Sequence, residues 1–132
     1  MNAFTTTVDV RFRDIDAMGH VNNAVYATYL EQARTAYFRQ VLEKDLAETS
    51  TVIATLTIDY HDPVYREDES VTIEVVASEV GTSSIRMEYT VATDRGVAVE
   101  AESVQVLYDV KTETPRPIPD PWRATIREYH DE

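Results

Sequence analysis

From Thr6 to Arg13 the apolar residues Val8, Val10 and Phe12 alternate with Thr7, Asp9 and Arg11, the two-residue period of a half-buried strand. The period then lengthens. Val25, Tyr29, Ala33, Tyr37 and Val41 recur every four residues, with Leu30 filling the stripe and Glu31, Arg34 and Arg39 on the remaining surface. This predicts a helix reaching about Glu43, roughly 30 Å long at 1.5 Å per residue, with Asn22 and Asn23 suited to capping its start. Alternation returns over Thr51 to His61, where Val52, Ala54, Leu56, Ile58 and Tyr60 share a face until Asp62-Pro63 ends the strand. Arg66 to Glu69 is a charged turn into Ser70 to Val80, which gathers Val71, Ile73, Val75 and Ala77 on one face. Gly81-Thr82 turns the chain into Ser83 to Thr93, with Ile85, Met87, Tyr89 and Val91 together, and Asp94-Arg95-Gly96 turns it again. The run Val97 to Tyr108 begins with Val97, Val99 and Ala101 on odd positions and continues with Val104, Val106 and Tyr108 on even ones. This predicts a bulge near Glu102 or burial on both faces. Four of the five prolines fall between Pro115 and Pro121, so Thr112 to Pro119 reads as an extended connector, and Asp120-Pro121 as the cap and first turn of a short helix through about Tyr129.

The order is strand, long helix, then four strands joined by hairpin-length turns, and one helix against one antiparallel sheet is the natural way to bury both. The expected fold class is α+β, with a sheet of about five strands curled around one long central helix and a short C-terminal helix. At 132 residues the chain makes one domain, 1–132, with a core over about 6–108 and a Pro-rich connector plus helix over 109–132. A second exposed sheet edge remains in such an arrangement, and pairing edge to edge with another copy covers it.

Composition removes much familiar chemistry. There is no Cys, hence no disulfide, thiolate metal site or cysteine nucleophile. Glycines at 19, 81 and 96 alone permit no P-loop, no GxGxxG turn and no GxSxG elbow. With 24 acidic against 12 basic residues the formal net charge is -12, and no adjacent basic residues form the stripe a nucleic acid needs. Only Lys44 and Lys111 are lysines; abundant carboxylates with scarce lysine fit a protein adapted to concentrated salt, where self-repulsion is screened. Met1 to Val10 has no apolar segment of signal-peptide length, and no apolar run approaches a membrane span, so the cytoplasm is the expected location.

The one dense polar constellation is Asp14, Asp16, His20, Asn22 and Asn23, between the first strand and the long helix. A helix start offers free N–H groups and partial positive charge to a developing oxyanion, and a carboxylate just upstream can attack or direct water at the same carbon. Acyl transfer follows as a reaction class; the competing reading of such residues is as caps and turn formers. Asp14, Asp16 and His20 lack a second cluster to complete a metal's ligand set, so no metal is expected.

The run Val10-Arg11-Phe12-Arg13-Asp14-Ile15-Asp16-Ala17-Met18-Gly19-His20-Val21-Asn22-Asn23, followed by Tyr26 and Glu31-Gln32-Ala33-Arg34, resembles the 4-hydroxybenzoyl-CoA thioesterase-like branch of the hotdog-fold superfamily. The resemblance continues more loosely through Tyr60-His61-Asp62-Pro63-Val64, Ser83-Ser84 and the final strand. It implies a hotdog fold and a cofactor-free acyl-CoA thioesterase, a thioester hydrolase with Asp16 as catalytic carboxylate, either nucleophile or general base for water. It further implies the Asn23 backbone N–H as oxyanion donor, the Asn23 side chain being a second candidate. His20 then bonds Asp16, lines the acyl pocket or packs on the helix start. Asn22 and Tyr26 border the substrate, though aromatics at helical spacing also build cores. Gly81, Thr82, Ser83 and Ser84 are the expected CoA contacts, although the basic residues common before that Ser-Ser pair are replaced by Val80-Gly81-Thr82; Arg66, Arg86 and Arg95 are substitutes for the phosphates. The expected assembly is a homodimer or homotetramer with its site where subunits meet. Two other readings stand beside this one: a hotdog enoyl-CoA hydratase using an Asp–His pair, and a non-catalytic acyl-CoA binding module.

Overall fold

The computed structural model describes residues 2–45 and 49–131. Its elements are β1 (Phe4–Asp9), α1 (Val25–Gln40), β2 (Thr51–Tyr60), β3 (Ser70–Val80), β4 (Ser84–Thr93), β5 (Gly96–Asp109), β6 (Thr114–Pro115) and α2 (Asp120–Asp131). The strands form one antiparallel sheet in the order β1-β3-β4-β5-β2, with the two-residue β6 paired to β5. This is the α+β hotdog arrangement, the sheet curling around α1.

The core follows the periodicities. Tyr29, Leu30, Ala33, Tyr37 and Phe38 of α1 are fully buried against Ile73 and Val75 of β3, Ile85, Met87, Tyr89 and Val91 of β4, and Leu107 of β5. Each large side chain so placed contributes about 1.5–3 kcal/mol of burial. The α2 helix lays Trp122 edge-on to Phe38, with ring centroids 6.2 Å apart, and buries Ile126 and His130. Arg123 of α2 donates to the carbonyls of Val80 and Gly81 at 3.1 and 3.0 Å.

Several local expectations are corrected. The first strand stops at Asp9, and Phe12, expected inside it, is 79% exposed in a 3-10 turn over Phe12–Asp14. The Asp14 carboxylate accepts the Arg11 N–H at 2.9 Å and draws the chain out of the ladder. Arg34, expected on the surface, is buried because the curled sheet wraps a wider face of α1 than a single stripe, and it donates to the Tyr89 hydroxyl at 3.3 Å. Neither Asn caps α1 with its side chain in the usual way. The cap is Ala24, whose N–H the Asn22 Oδ1 accepts at 2.9 Å in a local turn.

The bulge expected near Glu102 lies instead at Ala98, since Val91 faces Val99 while Ala92 faces Val97. The freed Ala98 carbonyl accepts both the His61 and the Asp62 N–H, at 2.9 and 3.0 Å. Beyond it the inward face stays on odd positions, through Ser103, Gln105 and Leu107; Val104, Val106 and Tyr108 point outward. A second irregularity, at Ala54, puts Val52 on the outer face and Ile53 on the inner one. The edge strand β2 keeps Val52, Ile53 and Tyr60 exposed.

Candidate active site

Between β1 and α1 the chain folds back on itself: Ile15 bridges Val21, the Asp16 N–H donates to the His20 carbonyl at 2.8 Å, and Gly19 turns the tip with φ +82°. A positive φ there suits a residue without Cβ. The Asp16 Oδ1 accepts the Met18 N–H at 2.9 Å, which fixes the carboxylate while leaving it half-buried. The loop is stitched to the segment after β2 by the Val21 N–H, donated to the Val64 carbonyl at 2.8 Å, and by a bridge from His20 to Tyr65.

Asp14 holds the loop from below. Its carboxylate is buried and accepts the Tyr29 hydroxyl at 2.7 Å and the Arg11 guanidinium at 3.2 Å. Burial alone raises its pKa, but the bonds from Tyr29 and from the Arg11 backbone and side chain more than offset this, so the carboxyl sits below the usual carboxylate range. Asp14 thus ties the loop to Arg11 and to α1.

A cavity of about 240 Å³ lies beside this loop, lined by His20, Val21, Asn23, Tyr26, Tyr60, His61, Asp62 and Pro63. Tyr26 is buried, and burial raises its hydroxyl pKa, partly offset by a hydrogen bond with the Val64 backbone. The Tyr60 hydroxyl donates to the Asn23 carbonyl at 3.0 Å and braces the helix start. The Asn23 N–H itself has no partner among the described residues, two residues before α1, where a developing oxyanion would meet both a donor and the helix dipole.

The cavity gathers His20, Asn23 and Tyr26, while Asp16 and Asn22 lie on the same loop outside its lining. The His20 ring stacks edge-on against Tyr65 at 5.1 Å, and no hydrogen bond joins it to the Asp16 carboxylate among the described residues. Tyr60, His61 and Asp62 are lining residues that sequence reasoning did not assign to the site; the Tyr-His-Asp-Pro stop at the end of β2 was their only signal. Gly81, Thr82, Ser83 and Ser84 sit elsewhere, at the other end of β3, about 35 Å away by strand rise. Their turn is occupied: the Gly81 N–H donates to the Ser84 carbonyl and the Ile118 N–H to the Thr82 carbonyl, both at 2.8 Å. A Cβ at Gly81 would meet Ser84 Oγ at 2.7 Å, so a larger residue there requires the Ser84 hydroxyl to turn away.

Of the arginines proposed for phosphates, Arg86 is paired with Glu79 and Glu102 and Arg95 with Asp68, leaving Arg66 stacked over Phe12 at 5.6 Å. Among the described residues no group of three or more His, Asp or Glu could hold a metal ion, and no helix is long and apolar enough to cross a membrane.

Known proteins share this sequence pattern and fold. The chain is 31% identical over 121 residues to the acyl-CoA thioester hydrolase YbgC of Escherichia coli, covering 88% of this chain and 90% of that protein. It is 35% identical over 88 residues to the uncharacterized protein YsmA of Bacillus subtilis, covering 66% of this chain and 59% of that protein's length. A Thermus thermophilus thioesterase solved with coenzyme A and Zn superposes with a TM-score of 0.87 at 36% identity, over 97% of this chain and 94% of that one. A family model described as thioesterase-like superfamily matches residues 10–126, from just after β1 to the middle of α2. With the loop, α1 and strands β2 to β6 inside that span, the chain belongs to the thioesterase-like superfamily.

Proposed function

We propose that this protein hydrolyses acyl-CoA thioesters to the free acid and CoA, with Asp16 as the catalytic carboxylate and the Asn23 N–H as the oxyanion donor. Two observations carry the reading: the Asn23 N–H has no partner among the described residues beside the cavity that Asn23 lines, and the Asp16 carboxylate is held half-buried on the same loop. The thioester carbonyl oxygen takes the Asn23 N–H, and its carbon is attacked either by the Asp16 carboxylate, giving a mixed anhydride that water then opens, or by a water that Asp16 deprotonates. In both routes the C–S bond breaks, CoA leaves as its thiol, and water supplies the acid's second oxygen. The relatives' names support acyl-CoA as the substrate class. The hydratase reading has less behind it, because its Asp–His pair would need His20 on Asp16 rather than on Tyr65.

We also assign the working form as a homodimer joined through β2. That strand is ten residues long, lies at a sheet edge and exposes Val52, Ile53 and Tyr60, the profile of an edge that is covered in use. Pairing two β2 strands antiparallel about a two-fold axis sets Thr51–Ile53 of one protomer against the end of β2 that bears Tyr60 in the other. The Gly81–Ser84 turn lies at the Thr51 end of the sheet, since Leu107 pairs with Thr51 and also donates its N–H to Ser83. A two-fold axis therefore carries the partner's turn to the same end as the Asp16 loop, where it can meet the CoA moiety. A cytoplasmic, salt-adapted setting completes the proposal.

The test is thiol release from a panel of short, long and aromatic acyl-CoA esters. Asp16→Asn abolishes release while leaving the fold; Asn23→Ala, which keeps the backbone N–H, costs less than the roughly 100- to 1000-fold expected for loss of an oxyanion donor. Retained turnover in Asp16→Asn would sink the assignment.

A further inference from the structure

Further along α1 a second cavity, of about 290 Å³, is lined by Glu31, Arg34, Thr51, Val52, Ile53 and Gln105. Two of these residues are polar and deeply buried: Arg34 is 6% exposed and Gln105 2%. They are linked by a directed chain of hydrogen bonds. Arg34 Nη1 donates to Tyr89 Oη at 3.3 Å, Tyr89 Oη lies 2.6 Å from Ser103 Oγ, and Ser103 Oγ donates to Gln105 Oε1 at 2.8 Å. Fixing Oε1 in this way leaves the Gln105 Nε2 as a buried donor without a partner among the described residues. The Arg34 guanidinium pairs with no carboxylate among the described residues; Glu31 borders the cavity from its exposed rim.

An unpaired guanidinium and an unpaired amide donor are both costly when buried. Lining one open cavity, they are complementary to a planar group with two anionic oxygens, because guanidinium and carboxylate match in a bidentate pair and the amide supplies a further donor. Glu31 repels such a group at the rim and leaves Arg34 as its seat.

We infer that this cavity is a carboxylate subsite for the far end of the acyl group, so that the preferred substrates are CoA thioesters of dicarboxylic acids. The inference rests on the acyl-CoA reading and on the two-fold β2 pairing. In that pairing the Thr51–Ile53 end of one protomer adjoins the partner's Tyr60, so the Arg34 cavity of one chain neighbours the thioester cavity of the other and one acyl group reaches both. Val52 and Ile53 give the passage apolar walls, and Arg34 with Gln105 closes its end.

Non-hydrolysable CoA thioethers separate binding from turnover. Analogues with chains of increasing length, ending in either a methyl or a carboxylate, are titrated into the intact protein by calorimetry. At the best-matched length the carboxylate analogue binds roughly 10- to 100-fold more tightly than its methyl counterpart, the effect of a charge-assisted bond. Arg34→Met removes that preference. Gln105→Leu reduces it by roughly fivefold and serves as the test should Arg34→Met fail to fold. Equal affinities at every length, or a preference that survives the substitutions, would overturn the inference. Thiol release from the matching thioesters is read in parallel. Turnover without a carboxylate preference removes the subsite and leaves the thioesterase; preference without turnover leaves the subsite and removes the thioesterase; and no binding of any analogue removes both.

Discussion

The Tyr29 hydroxyl donates to Asp14 Oδ2 at 2.7 Å, tying the buried face of α1 to the loop that presents Asp16 two residues later. Burial first, and then the Asp14 carboxylate, push the Tyr29 hydroxyl's pKa far up, so it remains a donor throughout the working range, while Asp14 is held below the ordinary carboxylate range. Tyr29→Phe leaves a buried carboxylate short of one partner and is expected to cost about 1–3 kcal/mol in urea unfolding at neutral pH. Because the folded pKa of Asp14 is depressed, its stabilisation is complete above the unfolded value near 4 and disappears as pH falls through the lower folded value. The stability gap between wild type and Asp14→Asn should therefore close on acidification below about pH 4. A gap that stays constant would show that Asp14 acts through shape alone.

Like charges face each other across the outer sheet surface. Glu88 lies opposite Glu102, and Asp59 opposite Glu100, in a chain of net charge -12. Directly opposed like charges destabilise a sheet by a few tenths to about 1 kcal/mol per pair, and molar salt shortens their reach to about 3 Å. Unfolding free energy should rise by about 1–2 kcal/mol from dilute buffer to molar KCl, and Glu88→Lys should flatten the slope. Full stability in dilute buffer would remove the salt-adapted reading.

The β2 edge predicts an assembly and its consequence. Val52→Glu with Ile53→Glu places like charges on both copies at exposed positions. Sedimentation should report a monomer, and turnover should fall by roughly 100-fold or more as the composite site opens. A dimer that persists with both glutamates present would move the interface elsewhere.

His130 joins both ends of the chain. Its Nε2 accepts the Ala77 N–H at 3.2 Å and the Tyr37 hydroxyl at 2.8 Å; since a backbone N–H can only donate, the ring proton sits on Nδ1 and goes to the Asn2 carbonyl at 2.6 Å. The ring also stacks on Tyr37 at 5.7 Å. His130→Leu orphans all three partners and should cost roughly 3 kcal/mol or more in urea unfolding, with faster amide exchange in α2. A loss under about 1 kcal/mol would mean that water replaces the ring.

The sequence by itself determined the main elements and set the residues of the candidate site in one continuous segment. Periods of two and four are local consequences of strand and helix geometry, so the β3 and β4 faces and the Tyr29–Tyr37 stripe appear in the structure as read. The Asp16-to-Asn23 run is likewise continuous in the chain, and a compact loop keeps its members together. Tertiary structure decided what depends on partners across space. The Ala98 and Ala54 bulges are pairing events between strands, and they set which residues of β5 and β2 face inward. Arg34 is buried because the sheet curls around α1, which no helical stripe encodes. Tyr60 joins the Asn23 cavity only because β2 ends where α1 begins in space, while the Gly81–Ser84 turn departs from it because an extended eleven-residue strand separates its two ends. Local pattern fixes periodicity, but which side chains meet is a property of registers and curvature that arise only when the strands have chosen their neighbours.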